Sequence, residues 1–468
     1  MSNRKAAGRR HFIKGLGSAA LAITLPSLSE AAGSEKEVIL TPTTKRINAN
    51  DRIRVGVIGM GIMGHRNLRT ALKVPGVELA GVCDLYQGRL IRAKEIYGAD
   101  LFTTMDYKAL VDRPDIDAVI VATSDHWHAP IATYALQKKK AVYGEKPVVH
   151  KISEGLPLIS VQQQSGAIMQ VGSQRVSSLH YAKAKELYNA GAIGKLNLVE
   201  ATYDRQSAMG AWQYTMPLDA SPATVDWDGF IRASKKPPFD AKQFFWWRNY
   251  RAFGTGVAGD LFVHLLSGVH LITGSLGPTK IYATGQLAHW KDGRDVPDIM
   301  TAIMDYPATA QHPAFQLTLR VNFISGGGDT SSIRLIGDEG VMKIGGRDLE
   351  LTHSIMPKAP GIGGWDALET YPAAMQEELR KQYNSRYSQA DHQRPQKEPI
   401  RFVNPPGYDE HLDHFMNFFE AMRTGKPVIE DISFGFRAAA PCIACNDSYF
   451  QQRILHWDPV QMKLINKK

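Results

Sequence analysis

The chain has 468 residues, enough for two or three domains with full-sized cores, and its 44% hydrophobic and 22% charged residues are ordinary for a globular protein. Of the formal net charge of +9, residues 1–31 hold +4 (Arg4, Lys5, Arg9, Arg10 and Lys14 against Glu30), so the remainder carries a mild +5. No basic run is interleaved with aromatics and no apolar run has membrane-spanning length, which sets aside nucleic-acid binding and a transmembrane anchor.

In chain order, the first feature is Gly8-Arg9-Arg10-His11-Phe12-Ile13-Lys14, followed by a modest apolar stretch from Gly15 to Leu28 and small residues up to Ala32. This is the three-part layout of a signal peptide, and the paired arginines ahead of Phe12-Ile13-Lys14 read as a twin-arginine export signal. Cleavage is expected after Ala31, placing the mature protein in the periplasm or outside the cell, with the twin-arginine machinery as a transient partner. No cysteine lies in this segment, so no lipid anchor is expected. Residues 32–50 form an arm before the first strand.

Residues 53–59, IRVGVIG, are a short β-branched apolar run of the kind found in buried parallel strands. The run ends in Gly59-Met60-Gly61-Ile62-Met63-Gly64. In such a turn Gly61 lets backbone approach a pyrophosphate, Gly64 lets the next helix pack close to the strand, and the helix N-terminus faces the phosphates. A second strand, residues 77–84, ends in Asp84, where a carboxylate binds ribose hydroxyls and repels a 2′-phosphate. NAD is therefore expected, with NADP disfavoured.

Strands are also expected at 117–123 and 141–147, with a helix over 129–140. Ligands in such sheets sit beyond the carboxyl ends of strands, which singles out Thr123, Trp127 and His128 on one side and Glu145 and Lys146 on the other. The fold class is α/β, opening with a Rossmann dinucleotide-binding domain.

In the second half, Asp260 and His264 lie four apart in a helical run, a spacing that puts both on one face. Asp260 can orient the imidazole and His264 can take a proton. Lys146 can stabilise a developing alkoxide. Oxidation of a secondary alcohol needs this proton removal, and a nicotinamide supplies hydride acceptance. Residues 226–254 gather many aromatics, with Arg248 and Arg251 between them. Trp247 and Arg248 are candidate substrate contacts because aromatic faces with polar neighbours suit sugar rings; Trp127 and Arg175 are others, and His180 and His270 are further histidines near these positions. Residues 205–250 and 355–400 are long excursions, the second expected to overhang the site or an interface. Cys442 and Cys445 form a CxxC with apolar neighbours, read as a buried helix turn, and no metal site is expected.

GMGIMG, Asp84, ATSDHWHAPIATYAL (122–136), GEKPVV (144–149), Asp260-x3-His264 and the C-terminal DHFMNFFEAMRTGKPVIEDISFGFRAAA (413–440) together resemble the glucose–fructose oxidoreductase/inositol dehydrogenase (Gfo/Idh/MocA) family, from about residue 51 to 460. Where family members often carry Asp three places after the histidine, this chain has Ser267. The resemblance implies an NAD-binding Rossmann domain at 51–171 and a C-terminal α/β domain at 172–468 with a large open, mostly antiparallel sheet. It also implies a homo-oligomer, dimer or tetramer, and a substrate that is a sugar, polyol or glycoside. In exported members a similar arm clasps a neighbouring subunit or covers the nucleotide. The expected activity is NAD-dependent oxidation or reduction of a hydroxyl or keto group. The periplasm holds no pool of free nicotinamide cofactor, so the NAD is expected to be tightly bound and recycled in place. One alternative is an NAD-dependent glycoside hydrolase working by transient oxidation and elimination; such members usually differ at the GEKP segment. A non-catalytic sugar- or nucleotide-binding protein is the other, disfavoured by Lys146, Asp260 and His264 occurring together.

Overall fold

In the computed structural model, residues 52–232 and 236–465 are described; the expected signal peptide at 1–31 and the arm at 32–50 lie outside the described residues. The first sheet contains β1 (Ile53–Ile58), β2 (Val77–Cys83), β3 (Phe102–Thr104), β4 (Ala118–Val121), β5 (Ala141–Glu145) and β6 (Met169–Gly172). All pairings are parallel and the order is β3-β2-β1-β4-β5-β6. Every residue of β4 and β5 is buried, as strands covered on both faces must be. The order reverses between β1 and β4, which opens a crevice at the carboxyl ends of those two strands.

The second sheet is assembled from β7 (Leu196–Asp204), β8 (Lys280–Gln286), β9 (Ile299–Tyr306), β10 (Phe315–Asn322), β11 (Thr330–Gly337), β12 (Gly340–Ile344), β13 (Asp348–His353), β14 (Ile400–Val403), β15 (Leu455–Asp458) and β16 (Lys463–Ile465). Its order is β14-β13-β12-β11-β7-β10-β9-β8-β15-β16, and only the β7–β10 pair is parallel. Here burial alternates: Met300, Ala302, Met304 and Tyr306 of β9 face the core, while Thr301 and Ile303 face outward. The covered face packs on helices Val263–Thr273 and Ile432–Gln451 in one continuous apolar core. Cys442 and Cys445 are buried within the latter helix, their Sγ atoms donating to the Ala438 and Pro441 carbonyls, as a helix-turn reading requires.

Helix Glu410–Thr424, far along the chain, completes the core of the first sheet. Its Phe415, Phe418 and Phe419 join Val55, Val57 and Tyr143, and Tyr143 stacks on Phe415 with ring centroids 4.2 Å apart. The aromatic stretch of 226–254 forms a small core of its own, and Phe230, Phe244, Phe245 and Trp247 also line the main cavity. Trp227, Phe230, Phe244, Phe245 and Phe253 are buried against one another and against Tyr86, next to the end of β2. Their apolar area pins the excursion to the nucleotide-binding half. The helix of the second excursion, Ala373–Arg386, has no buried residue, and no residue of 355–400 lines the main cavity; a helix polar on all sides has no stripe with which to dock over it.

Candidate active site

A cavity of about 700 Å³ runs from the β1 turn to the start of the helix bearing His264. At the first end, Gly59 has a left-handed backbone (φ +91°), and a Cβ there would lie 2.5 Å from the Ala122 carbonyl oxygen. Gly64 is tighter: its Cβ would lie 1.8 Å from the Gly59 carbonyl oxygen. Gly64 therefore lets helix Ile62–Ala71 close onto the turn, and it does not itself line the cavity, unlike Gly59, Gly61, Ile62 and Met63. Gly61 has an ordinary φ of −76°, and a Cβ there would meet only the tip of Arg89 at 3.8 Å. Protein packing does not demand a glycine at this point, which leaves the helix N-terminus open to close approach by a ligand.

Asp84 is buried beside this turn. Its carboxylate accepts from the Met60 N–H at 2.7 Å and the Tyr86 N–H at 2.9 Å, and Arg89 Nη1 lies 3.4 Å away. Arg89, whose guanidinium also lies over the Phe245 ring, escaped the sequence reading. The turn, the exposed helix start and the acidic strand end fit the pyrophosphate and ribose of a dinucleotide.

Thr123, Trp127 and His128 line the middle of the cavity. Trp127 and His128 lie inside a helix that starts at Asp125, four residues before the expected start. Pro130 offers no N–H to the His126 carbonyl, and Arg232 Nη1 donates to that oxygen at 2.5 Å instead, so the early start is tolerated. His128 spans two strand ends, with Nδ1 2.7 Å from the Pro147 carbonyl and Nε2 3.2 Å from that of Thr123. Glu145 is buried and accepts from Asn67 at 2.8 Å and Gln174 at 2.9 Å; burial raises its carboxyl above the usual range.

At the far end, Lys146 Nζ donates to Asp260 Oδ1 at 2.8 Å and to the Asp260 carbonyl oxygen at 2.9 Å. Arg248 Nε lies 3.3 Å from the same Oδ1, and its guanidinium stacks on Trp247 at 4.2 Å. Burial alone would raise the Asp260 carboxyl; the charges of Lys146 and Arg248 overcome it and hold the group ionised, far below the ordinary range.

Asp260 does not orient His264, which corrects the expectation from spacing. Residues 258–262 form a π-turn ahead of helix Val263–Thr273, which widens the local repeat. Two cations also outcompete a neutral ring for one carboxylate. His264 Nδ1 is buried without a hydrogen-bond partner. Burial, then the charges of Lys146 and Arg175, push its imidazole well below the ordinary range, with Asp260 offsetting only part. Both Asp260 and His264 still line the cavity.

Arg175 lines it too, donating to Ser331 Oγ at 2.7 Å and the Tyr203 hydroxyl at 3.2 Å. His180, His270 and Ser267 do not: His180 pairs with Asn404, His270 with Tyr306, and Ser267 donates to the Val263 carbonyl within its helix. Tyr203 and Arg205, at the end of β7, line the cavity and were not singled out from sequence. Their two-residue spacing puts them on one strand face, but no pattern in the chain tells which face looks into the site. Among the described residues no helix is long and apolar enough to cross a membrane.

A glycine turn at the reversal point of a parallel sheet and a lysine–carboxylate pair in one cavity define a two-domain protein with a Rossmann-type first domain. A family model described as an oxidoreductase family with an NAD-binding Rossmann fold matches residues 53–173, and its companion for the C-terminal alpha/beta domain matches 231–460. The chain belongs to this Gfo/Idh/MocA family. It is 31% identical over 159 residues to an inositol 2-dehydrogenase of Salmonella paratyphi B, covering 34% of this chain and 47% of that protein. It is 25% identical over 215 residues to a glycosyl hydrolase family 109 protein of a Shewanella species, covering 42% and 45%. The chain thus spans about half the length of the curated relatives it matches. An aldose-aldose oxidoreductase from Caulobacter crescentus, solved with glycerol, shares the fold with a TM-score of 0.61 at 15% identity, over 86% of this chain and 99% of that one.

Proposed function

We propose that this chain is an exported NAD-dependent oxidoreductase acting on a CH–OH or keto group of a sugar, polyol or glycoside, with its NAD retained and recycled in place. The observation that carries the reading is Lys146 Nζ, fixed by two bonds to Asp260, in the same cavity as an unpaired, neutral His264 and the glycine turn. An ammonium has three donors. Two are taken by Asp260, and the third is available to the substrate oxygen, where it stabilises alkoxide character as the hydroxyl proton leaves. His264 accepts that proton. Gly59, Gly61, Ile62, Met63 and Asp84 would hold the dinucleotide, with Thr123, His128 and Glu145 along its path; bound NAD supplies hydride acceptance or donation. Trp127, Trp247, Arg175 and Arg248 flank the substrate end. Removal of the C–H and O–H hydrogens yields a carbonyl, and a second, carbonyl-bearing sugar restores NAD in reverse.

The twin-arginine pattern at residues 8–14 supports export, and export of a folded chain supports loading of NAD beforehand. A homo-oligomer built on the bare face of the second sheet fits its outward row of Thr301 and Ile303. The purified protein tests the main reading: its near-ultraviolet band for reduced nicotinamide should grow or bleach when sugars are added without cofactor. A protein that carries no nucleotide and takes up no NAD would sink it. Similarity to a glycosyl hydrolase family 109 protein favours a second reading, glycoside cleavage, which would release free sugar with no net spectral change.

Two further results are expected. His264 acts in its neutral form, and its lowered pKa keeps that form present at more acidic pH. The acid limb of kcat/KM should therefore lie well below pH 6.5; a limb at or above that value assigns the base elsewhere. Asp84→Ser should shift the NADP-to-NAD ratio of kcat/KM upward by at least about tenfold, because it removes the repelling carboxylate and leaves Arg89 free for a 2′-phosphate. Competitive binding of the two dinucleotides checks it, and an unmoved ratio removes Asp84 from cofactor choice.

A further inference from the structure

Among the described residues, two of the four cations at the substrate end of the cavity have no ion-pair partner, although Asp125, Glu145 and Glu410 line the same cavity. Lys146, Arg175, Arg205 and Arg248 all line it. Lys146 and Arg248 share Asp260. Arg175 and Arg205 have no carboxylate within ion-pair distance among the described residues. Arg175 donates only to neutral groups, Ser331 Oγ, the Tyr203 hydroxyl and Tyr181, and Arg205 Nη1 donates to the Gly210 carbonyl at 2.8 Å. Of the neighbouring acids, Asp204 is paired to Arg320, Asp329 accepts from the Gln206 N–H at 2.8 Å, and Glu410 lines the cavity and acts on Arg175 without forming an ion pair.

Both guanidinium groups also converge on one ring. Arg175 Cζ lies 4.9 Å and Arg205 Cζ 5.3 Å from the Tyr203 centroid, and that centroid is 6.2 Å from that of His264. The field they create is visible on the phenol. Burial would raise the Tyr203 hydroxyl, yet the two arginines bring it below the ordinary tyrosine value. Each guanidinium has five donors in a planar fork matched to carboxylate and phosphate oxygens, and neither has all five engaged.

The geometry points to an anionic sugar as the substrate, its carboxylate or phosphate group held by Arg175 and Arg205 across the Tyr203 ring while the reacting hydroxyl meets Lys146 and His264. This rests on the oxidoreductase reading above. A shallower cavity shares Tyr203 and Arg205 and continues over Asp204, Gly210, Asp329 and Thr330; its carboxylates suit the hydroxyls of the rest of a larger glycoside rather than a second anionic group.

The test compares glucuronate and glucose 6-phosphate with glucose, by calorimetric binding to the full protein and by reduction of its NAD. At least one anionic sugar should bind and react with a kcat/KM at least tenfold above that of glucose, and the preferred one identifies the group as carboxylate or phosphate. Arg205→Gln should bring that ratio close to one, and Arg205→Lys should restore part of it, with thermal unfolding confirming that both variants fold. Glucose equal to or better than both anions, or an unchanged ratio in Arg205→Gln, overturns the inference. Binding of an anionic sugar without any redox change would instead overturn the oxidoreductase reading and leave the anion site standing.

Discussion

Lys146→Ala should lower kcat by at least about a hundredfold while NAD binding survives, because the substitution removes the donor that stabilises the alkoxide and leaves the dinucleotide cradle untouched. The loss belongs in kcat as well as kcat/KM, since the charge is matched to the oxygen only as it becomes negative. Asp260 would keep Arg248 as a partner at 3.3 Å, so the buried carboxylate is not abandoned. Breaking a buried ion pair outright costs about 3–5 kcal/mol, and retention of Arg248 places the expected stability loss below that range. Thermal unfolding and dinucleotide titration separate a catalytic defect from a folding one. Lys146→Met serves as a control that fills the same volume without charge. Undiminished turnover in both variants would refute the role given to Lys146.

The glycine turn carries the second large effect, and it distinguishes packing from ligand binding. Gly64→Ala places a methyl 1.8 Å from the Gly59 carbonyl oxygen, a backbone atom that cannot rotate away. The helix must lift from the turn, at a cost of about 1–3 kcal/mol or more, and both the melting temperature and NAD affinity should fall. Gly61→Ala meets only the flexible end of Arg89, at 3.8 Å. Its melting temperature without ligand should match the parent, yet NAD affinity should drop at least about tenfold because the methyl occupies the approach of the pyrophosphate. Equal NAD affinity in Gly61→Ala and the parent would remove that glycine from the cradle.

The arginine pair and the catalytic lysine also act at different stages. In the proposed binding mode Arg175 and Arg205 hold a group remote from the reacting carbon, so their loss should appear first in the preference among sugars. Lys146 acts on the reacting oxygen and its loss should be felt by every substrate.

Local chain chemistry alone determined much of this protein. The β-branched runs at 53–58 and 118–121 are apolar enough to be strands covered on both faces, and the glycine spacing and Asp84 follow from backbone geometry at a strand–helix turn. Lys146 and His264 were legible because a strand-end loop and a helical repeat carry them. The tertiary structure alone decided the partners. Asp260 turned from His264 to Lys146 and Arg248 because two cations bind a buried carboxylate more strongly than a neutral ring does, and the π-turn widened the repeat that the spacing argument assumed. Most aromatics of 226–254 went into a core of their own, driven by burial of apolar area, and only the assembled core decides that Phe230, Phe244, Phe245 and Trp247 border the cavity. Arg89, Tyr203 and Arg205 reached the cavity through strand and helix placement across long sequence separations, and no periodicity within a single segment encodes such convergence.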